Sequence, residues 1–433
     1  MKRLTFPLLL LALLCGCDGE DIPTRPGVKV IVPPELEDYT PLPLETREAG
    51  LQPMTGIVLW TDNDDAATDA IQLEFAYMLY SDVCKAKDTY DWTCVESRLD
   101  AVAARRHQAV LRFRYTYVGE ECAVPDYIKA LPEYEETVGE SEGKQTDFPD
   151  WRCAELQRFH LDFYRRFAER YDKDPRLAFL ETGFGLWAEY HIYDGPFIPG
   201  RTFPSKAFQA EFLRGMDIWF KETPWCISID AADPAYGPFQ TDPDLLEGRF
   251  GNFDDSFLCK DHDDYNASCW RFFGEDRYRR SPLGGEFSYY SNFDQKHALD
   301  RKGFRGRTFE GEAAKYHLSF IIGNDQPAFQ SLARIREAGM ATGYRFVVKA
   351  FRAKGTKAAV FVANEGVAPV YRDAFLVVDG IQGEFNLREL MPGEGRWISL
   401  TLPAPPNTPA FKVSCKHLVQ GQQISLAISP ENT

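Results

Sequence analysis

The sequence predicts an α/β protein, a (β/α)₈ TIM barrel followed by a small all-β sandwich domain. Three observations predict this fold. Between residues 51 and 342, eight short apolar runs alternate with helix-period segments or long loops, which is the pattern of a barrel. No glycine-rich phosphate turn follows an early strand, as a doubly wound sheet would require. Over residues 343–433 the helical period stops, and about seven short runs separated by Gly, Pro and Asn turns indicate a sandwich.

The barrel elements follow from the spacing of apolar residues. The clearest helix is Glu155–Tyr171, where Leu156, Phe159, Phe163 and Phe167 fall on one face. Other helices are predicted at Trp92–Arg106, Lys206–Phe220 and Ala328–Ala338. The eight predicted barrel strands are Thr55–Trp60, Ile71–Tyr80, Gln108–Tyr117, Leu177–Trp187, Trp225–Asp230, Phe250–Phe257, Leu283–Tyr289 and Tyr316–Ile322.

The N-terminus indicates export. A basic start is followed by the apolar run Leu4–Leu14, which is too short to span a bilayer and is typical of a signal peptide. The string Leu14-Cys15-Gly16-Cys17 resembles the lipobox of bacterial lipoproteins, so residues 1–17 are predicted to be a signal peptide with Cys17 as the lipidated residue. An ordinary signal peptide is the alternative. The proline-rich residues 18–50 are predicted to be an extended tether from a membrane, on its periplasmic face or at the cell surface, to the barrel.

Charge and composition narrow the range of partners. The formal net charge is −16, which argues against nucleic acid as a partner. The chain has 8 Trp, 20 Tyr and 32 Phe; most will be core, but a sugar-binding cleft also needs flat apolar faces with polar tips. These observations favour a carbohydrate partner, and the oligomeric state stays open.

Eight cysteines follow Cys17, and export makes pairing the default. The close pairs Cys84–Cys94 and Cys259–Cys269 each bracket a polar loop, so local disulfides are expected there. Cys122 and Cys153 flank an acidic stretch and are a third candidate pair, whereas Cys226 and Cys415 are expected to be free.

Two glutamates lie where barrel enzymes place their chemistry, at the C-terminal ends of strands. Glu189 follows the fourth strand and Glu286 lies in the seventh, and these strands face each other across a barrel mouth. Hydrolysis of a glycosidic bond needs two carboxyl groups, one protonated and one ionised. The structural alternative is an ion pair with Arg112 or Arg114. Glu181, earlier in the fourth strand, is a rival that we expect to lie deeper in the barrel.

The chain resembles a bacterial family of glycosyl-hydrolase-like barrels with a C-terminal β-sandwich, described only as a domain of unknown function. The resemblance covers most of residues 51–378 and rests on the segments around Tyr90-Asp91-Trp92, Leu99-Asp100, Val110–Arg112, Gly183–Glu189, Gly343–Phe346 and Tyr371–Asp373. The glutamate positions are similar to those of retaining glycoside hydrolases of the 4/7 type, which implies Glu189 as general acid/base and Glu286 as nucleophile. Those enzymes carry Asn before the acid/base, whereas here the residue is Ala188.

Other polar and aromatic residues near predicted strand ends are candidates for substrate contact. Asn252, Asp254 and Asp255 end the sixth strand and could hold sugar hydroxyls or cap a loop. The predicted substrate-binding residues are Trp60, Arg112, Arg114, Trp187, Tyr190, His191, Asp230, Asn252, Asp254, Tyr289 and Asn324, and Tyr290 is a further aromatic candidate.

No metal or cofactor is predicted. Zinc is disfavoured because the CxxC and HxxxH spacings do not occur in the sequence. The acidic clusters Asp62–Asp65 and Asp261–Asp264 lack the Gly and terminal Glu of an EF-hand loop and are interpreted as solvated loops. No nucleophile elbow, P-loop or dinucleotide fingerprint occurs in the sequence.

The sequence therefore favours a glycoside hydrolase that acts at the cell envelope on a poly- or oligosaccharide, with retention. The first alternative is a glycan-binding lipoprotein on a barrel that has lost catalysis. A blocked mouth or a salt-bridged glutamate would favour this alternative, and two carboxylates across an open cleft would favour the enzyme. A lyase that uses Tyr190 or His191 as a base is the third, less favoured hypothesis.

Overall fold

The computed structural model describes residues 27–303 and 305–431, so the predicted signal peptide and Cys17 lie outside the described residues. Eight parallel strands form a closed barrel in chain order, each paired to the next and the last paired to the first. This confirms the predicted barrel. The barrel strands are β1 Gly56–Trp60, β2 Leu73–Leu79, β3 Gln108–Arg114, β4 Leu177–Thr182, β5 Trp225–Ser228, β6 Gly251–Phe257, β7 Leu283–Phe287 and β8 Phe320–Ile322.

Helices surround the barrel, and the longest is Ala154–Tyr171, whose apolar face is buried as its spacing predicts. Helix Lys206–Trp219 packs beside it and begins at Ser205, whose side chain accepts a hydrogen bond from the amide of Phe208. None of the helices in the described segments is both long and apolar enough to cross a membrane. The other helices are Tyr80–Val83, Thr93–Ala104, Asp126–Lys129, Asp263–Phe273, Asn292–His297, Phe309–Lys315, Gln326–Phe329 and Leu332–Met340.

The C-terminal region forms two sheets that are antiparallel except for one parallel pair, and its seven strands correspond to the seven predicted runs. β9, β10 and β13 pair in one sheet with a short strand at Thr40–Pro41, and β15 pairs with β9; β12, β11 and β14 form the other. The strands are β9 Phe346–Lys354, β10 Lys357–Asn364, β11 Ala374–Val378, β12 Ile381–Asn386, β13 Gly395–Thr401, β14 Phe411–Cys415 and β15 Ala427–Ile428.

The sandwich closes the bottom of the barrel. Gln108 at the start of β3 donates its side-chain amide to the carbonyl of His417. The buried Arg372 donates to the carbonyl of Leu177 at the start of β4, and Tyr371 donates to the carbonyl of Tyr278, which precedes β7. Side chains inside the barrel and between the two sheets form one continuous apolar cluster. Within the described segments, the sandwich therefore covers the N-terminal ends of the barrel strands and leaves their C-terminal ends free.

The segment 27–50, which the prolines predict to be an extended tether, lies against the sandwich. Thr40–Pro41 pairs with β9, and the indole of Trp397 donates to the carbonyl of Ile31. The ammonium of Lys349 contacts the carbonyl of Val28, which fixes the first described residues. Residues 27–50 are therefore held by the edge and the outer face of a sandwich sheet. Prolines and charges in the sequence do not reveal such contacts.

The eight described cysteines carry free thiols in the structure, so the disulfides predicted for Cys84–Cys94, Cys259–Cys269 and Cys122–Cys153 are not formed. The thiol of Cys84 instead donates to the carbonyl of Ala86. Proximity in sequence was the only basis for these pairs, and disulfide formation depends on the direction of the Cα–Cβ bonds, which spacing does not report.

Candidate active site

Glu189 is delivered to the barrel mouth by a tight turn after β4. The amide of Glu189 donates to the carbonyl of Leu186, and the two residues between them, Trp187 and Ala188, have φ of +53° and +57°. Positive φ at both central positions is the pattern of a type I′ turn, and it costs about 1–2 kcal/mol for each residue that is not glycine. Two strained residues therefore hold the turn that carries Glu189.

Two glycines allow this turn to fold back onto its own strand. A Cβ on Gly183 would lie 2.2 Å from the carbonyl oxygen of Ala188, and one on Gly185 would lie 2.0 Å from that of His191. The amides of Phe184 and Gly185 both donate to the carbonyl of Glu189. The glycine spacing in this segment thus reflects a close approach of backbone to backbone.

Arg112 lies at the centre of the barrel, fully buried on the inward face of β3. Its Nε and Nη2 donate to one carboxylate oxygen of Glu181 at 2.9 and 2.6 Å, and its Nη1 donates to Oε1 of Glu189 at 2.8 Å. The guanidinium lies over the ring of Phe253, 4.3 Å from its centroid. One buried guanidinium therefore donates hydrogen bonds to the carboxyl groups of both Glu181 and Glu189, and Glu181 lies deeper in the barrel.

The second oxygen of Glu189 faces a histidine and an aspartate. Nε2 of His191 lies 3.5 Å from Oε2 of Glu189, and a carboxylate oxygen of Asp255 lies within 4.8 Å of a ligand atom of each. Burial raises the pKa of Glu189 well above its usual range, and the charge of Asp255 raises it further. Glu189 therefore retains a proton at a pH where an exposed glutamate has lost it.

His191 and Asp230 form an ion pair beside Glu189. Nδ1 of His191 lies 3.1 Å from Oδ2 of Asp230, which also accepts from the hydroxyl of Ser228 at 2.6 Å. Burial alone would lower the pKa of His191, but the hydrogen bond with Asp230 raises it above its usual value. Burial opposes the ionisation of Asp230, yet His191 lowers the pKa of that carboxyl. Both pKa shifts therefore favour the charged form of the pair.

Glu286 lies at the C-terminal end of β7, in the same mouth. Its residue is 8% exposed, and none of the described residues donates a hydrogen bond to its carboxyl group. Burial raises its pKa to about 8, and the positive charge of Arg112 opposes this rise. The charge of Glu286 in turn raises the pKa of Glu189. The two glutamates predicted from the sequence therefore belong to one electrostatically coupled site.

Aromatic rings line the upper wall of this mouth. Trp60 at the end of β1 packs edge-on against Tyr77 of β2, which packs edge-on against Tyr117. Trp187 contacts Tyr117 and stacks against the exposed Tyr193, with ring centroids 6.1 Å apart. Rings of this kind offer both apolar faces and hydroxyl groups to a sugar.

Several of the predicted binding residues do not face the mouth. Tyr190 is fully buried and packs against Phe184 and Phe203 in the outer core. Asn252 and Asp254 lie on the outward face of β6, because side chains alternate along a strand and Phe253 points inward. We therefore correct the placement of these three residues.

The partners of the two β6 residues show their orientation. The carboxylate of Asp254 accepts hydrogen bonds from Asn266 and from the indole of Trp270, both on helix Asp263–Phe273 outside the barrel. The amide of Asn252 reaches only the carbonyl of Ile227 on the neighbouring strand, at 3.4 Å.

The remaining predicted residues lie at the mouth with differing partners. The side-chain oxygen of Asn324 accepts from the amide of Trp60 at 3.0 Å, so it fixes the end of β1. Arg114 pairs with Glu120 and lies over the ring of Tyr117. Tyr289 and Tyr290 are more than half exposed, and the hydroxyl of Tyr289 donates to Asp325 at 3.3 Å.

Sequence reasoning missed Tyr77, Tyr117 and Tyr193, and it grouped Asp255 with Asn252 and Asp254 as possible sugar contacts without distinguishing their orientations. The orientation of Asp255 could have been predicted, because counting in steps of two from the apolar Phe253 places Asp255 inside the barrel and Asp254 outside. Tyr77 follows Phe75 on the inward face of β2 by the same rule. Tyr193 belongs to a loop, and no periodicity in the sequence indicates its position.

Three side chains of this mouth lie close enough to hold a cation. One ligand atom each from Glu189, His191 and Asp255 falls within 4.8 Å of the others. These groups are already partners of one another and of Arg112 and Asp230, and Arg112 provides positive charge at the same place. We therefore interpret the group as a hydrogen-bonded acid cluster.

Comparison with known proteins gives only loose structural similarity. No family model matches the sequence, and no curated protein matches it. The GH5_18 structure from Streptomyces cattleya in complex with GlcNAc is 9% identical over 64% of this chain and 70% of that chain, with a TM-score of 0.40. A variant of the GH5_18 protein from Bifidobacterium longum, in complex with Manb1-4GlcNAc, is 9% identical over 68% and 81%, with a TM-score of 0.42. An exo-beta-1,4-mannosidase from an Opitutaceae bacterium is 10% identical over 70% and 52%, with a TM-score of 0.35. These overlaps are too loose to indicate the reaction of this chain.

Proposed function

We propose that the protein is a glycoside hydrolase that uses Glu189 and Glu286 as its two catalytic carboxyl groups. The observation that carries the proposal is their arrangement: two buried glutamates from opposite sides of the barrel share one aromatic-lined mouth, and the charge of Glu286 raises the pKa of Glu189. Cleavage of a glycosidic bond requires a protonated and an ionised carboxyl group on the two sides of the bond.

The environments of the two glutamates suggest their roles. Burial and the nearby charge of Asp255 raise the pKa of Glu189 well above its usual range, which suits the general acid. Glu286 has no donor of its own among the described residues, so its carboxylate is an unencumbered nucleophile once it has ionised. These are the roles that the sequence resemblance implies, and they correspond to a retaining mechanism.

The reaction then proceeds in two steps. A Glu286 oxygen bonds to the anomeric carbon while the bond to the leaving oxygen breaks, and that oxygen takes the proton of Glu189. Glu189, now ionised, removes a proton from water as the water oxygen bonds to the same carbon and displaces Glu286. Arg112 donates to Glu189 throughout, so it stabilises the carboxylate that forms in the first step. The aromatic wall of Trp60, Tyr117 and Trp187 would hold the sugar rings.

The proposal places this activity at the cell envelope. The lipobox pattern ending at Cys17 supports a lipid anchor, and the net charge of −16 fits a neutral glycan better than a nucleic acid. Labelling of cells with a radioactive fatty acid tests the anchor, because the wild-type protein should incorporate label and Cys17→Ser should not.

A glycan-binding protein without catalysis is the second candidate, and one observation favours it. Glu189 accepts a hydrogen bond from Arg112 at 2.8 Å and is only 3% exposed, so a substrate would reach it only after side chains at the mouth move. In this case sugars would occupy the aromatic wall without being cleaved.

Hydrolysis across a glycan panel distinguishes the two candidates. The exported chain from Asp18 onward would be assayed beside Glu189→Gln and Glu286→Gln, with Asp254→Asn as a matched control on the outward face of β6. Activity that falls at least about a thousandfold in both glutamine variants but survives in the control supports the hydrolase. Binding to the panel without cleavage by the wild type would support the second candidate, and cleavage unaffected by both variants would refute the site.

A further inference from the structure

Residues 193–196, which we call the flap, follow the turn that carries Glu189. The first three flap residues are exposed. Ile192, directly before the flap, is buried, and Phe197, directly after it, packs on the outer apolar core. Gly195 has a φ of +136°, a conformation that glycine adopts without strain. The flap is therefore a short exposed segment between two fixed residues, and Gly195 gives it a pivot.

The ring of Tyr193 in the flap lies on the outer side of the groups around Glu189. It stacks against Trp187 with an interplanar angle of 21° and packs edge-on against His191, with ring centroids 5.3 Å apart. Nε2 of His191 lies 3.5 Å from Oε2 of Glu189. Tyr193 is 57% exposed, whereas Glu189 is 3% exposed. Tyr193 is thus the outermost of three rings packed beside the acid, and its position affects access to that acid.

A β-hairpin from the neighbouring loop holds the flap. Its strands Thr137–Ser141 and Lys144–Phe148 pair antiparallel and belong to the loop after β3, at the same end of the barrel as the flap. At the hairpin tip, the amide of Glu142 donates to Oδ2 of Asp194 at 2.6 Å, and the carboxylate of Glu142 accepts from the hydroxyl of Tyr193. One residue of the hairpin therefore binds two consecutive residues of the flap.

We infer that these two hydrogen bonds form a latch that keeps the flap closed beside Glu189, and that a sugar reaches the acid when the latch opens. A hydrogen bond of this kind changes an equilibrium constant by about five- to tenfold. Two of them keep the closed form predominant and still allow frequent opening. The inference rests on the proposed function, because it concerns access to that same site.

The contacts on either side of the latch indicate which part moves. The hairpin is tied to the end of β3, since the amide of Gly119 donates to the hydroxyl of Thr146 at 3.0 Å. The end of the flap is packed on the hairpin, because a Cβ on Gly139 would lie 2.8 Å from two ring carbons of Pro196. The hairpin and Pro196 are therefore the fixed parts, and opening consists of a rotation of Tyr193 and its neighbour away from the tip.

A fixed stacking surface for sugar is the alternative role of Tyr193, and its hydroxyl group distinguishes the two roles. Tyr193→Phe keeps the ring and removes the bond to Glu142, whereas Glu142→Ala removes the same bond from the hairpin side. Glu140→Ala is the matched control, because Glu140 is an exposed glutamate of the same hairpin outside the latch. A stacking surface requires the ring alone, and a latch requires the hydrogen bond.

Hydrogen exchange of the backbone amide at position 142 measures opening without any substrate. This amide donates across the latch to Asp194, and neither substitution removes that acceptor. After correction for the intrinsic exchange rate, we expect the amide to exchange about five- to tenfold faster in Tyr193→Phe and in Glu142→Ala. The double variant should exchange no faster than either single variant, because both changes remove one bond. Glu140→Ala should exchange as the wild type does.

Steady-state kinetics on a cleaved glycan measure access to the site. If only the open form binds sugar, the apparent affinity is reduced by the fraction of open protein. We expect KM to fall by about five- to tenfold in Tyr193→Phe and in Glu142→Ala, with kcat unchanged. A fixed stacking surface would leave KM of Tyr193→Phe at the wild-type value, and a hydroxyl that contacts the sugar directly would raise it.

The outcomes separate the latch from the proposed function. In a protein that binds glycans without cleaving them, faster exchange and an equal fall in Kd would support the latch and refute the hydrolase. Exchange that is unchanged in both variants, effects that add in the double variant, or a KM that does not fall in Tyr193→Phe would overturn the latch, even if both glutamates prove essential for cleavage.

Discussion

Arg112 binds Glu181 through two nitrogens and Glu189 through the third, so one guanidinium links the deep barrel to the turn that follows β4. The two carboxylates differ in depth, because Glu181 is on the strand itself and Glu189 is returned to it by the turn. Arg112 therefore holds Glu189 in position at the mouth from inside the barrel.

Replacing Arg112 with Met should destabilise the protein by about 3–5 kcal/mol, because it leaves Glu181 buried without its cation. Urea denaturation measures this loss in the free energy of unfolding. Adding Glu181→Gln to Arg112→Met should recover part of it, since the uncompensated charge is then removed. Equal instability of the single and double variants would contradict this account of Arg112.

The pH dependence of hydrolysis should be displaced to the alkaline side. Glu286 must be ionised to attack, and burial raises its pKa to about 8, so kcat/KM should rise about tenfold per pH unit below that value. The descending limb follows the loss of the proton from Glu189, whose pKa burial and Asp255 hold well above its usual range. A profile of kcat/KM on an aryl glycoside checks this, and an optimum near the pKa of a free carboxyl would contradict it.

Stability should fall as the pH rises through neutrality. Burial raises the pKa of Glu286 from 4.5 to about 8, and burial with the charge of Asp255 raises that of Asp254 from 3.8 to about 8. Between these values the folded protein retains protons that the unfolded chain has lost, so each group lowers the free energy of unfolding by about 1.4 kcal/mol per pH unit. The raised pKa of His191 acts in the same direction above its unfolded value of 6.5. Denaturation midpoints across this range should have a shallower slope in Glu286→Gln and in Asp254→Asn than in the wild type; parallel slopes would refute this assignment.

Adding a methyl group at Gly185 should open the turn that carries Glu189. Its Cβ would lie 2.0 Å from the backbone oxygen of His191, a clash that no side-chain rotation relieves, so Gly185→Ala should cost about 2 kcal/mol or more and abolish cleavage. Gly50→Ala is the control, because its Cβ would meet only the flexible end of Arg336 at 3.5 Å. Thermal denaturation and the hydrolysis assay read the two effects, and full activity in Gly185→Ala would contradict the assigned turn.

The opposite change is expected at Ala188. Its φ of +57° suits glycine better than alanine, so Ala188→Gly should leave the fold intact and relieve about 1 kcal/mol of backbone strain. The net gain in stability will be smaller, because glycine also loses more chain entropy on folding. Thermal denaturation measures the difference, and a marked loss of stability would show that the turn depends on the alanine methyl group.

Much of the fold could be predicted from the sequence because its signals are local. The alternation of apolar runs and helix-period segments was enough to predict eight barrel strands, and turn residues predicted the seven strands of the sandwich. The fourth strand was predicted at Leu177–Trp187 but ends at Thr182 in the structure. The prediction was too long because aromatic and small residues continue past Thr182, where the chain turns back. The path of the turn depends on backbone contacts at Gly183 and Gly185. Contacts of this kind cannot be predicted from the periodicity of apolar residues.

The site was less accessible to the same reasoning. Glu189 and Glu286 follow from their place at strand ends, but the choice of Asp254 over Asp255 required the inward register of β6. That register is fixed by Phe253, which packs beneath Arg112. The three cysteine pairs failed for a related reason, since closeness along the chain does not determine which way side chains point.

The packing of residues 27–50 on the sandwich limits how far the barrel mouth can lie from a membrane that holds Cys17. If Cys17 carries the lipid, residues 18–26 alone separate it from the docked segment, and nine residues span at most about 30 Å when fully extended. The sandwich closes the opposite end of the barrel from the mouth. With the proposed anchor and activity, the protein would therefore stand on its sandwich with the barrel mouth directed outward, and it would encounter glycans that extend from the surroundings before those rooted in its own membrane.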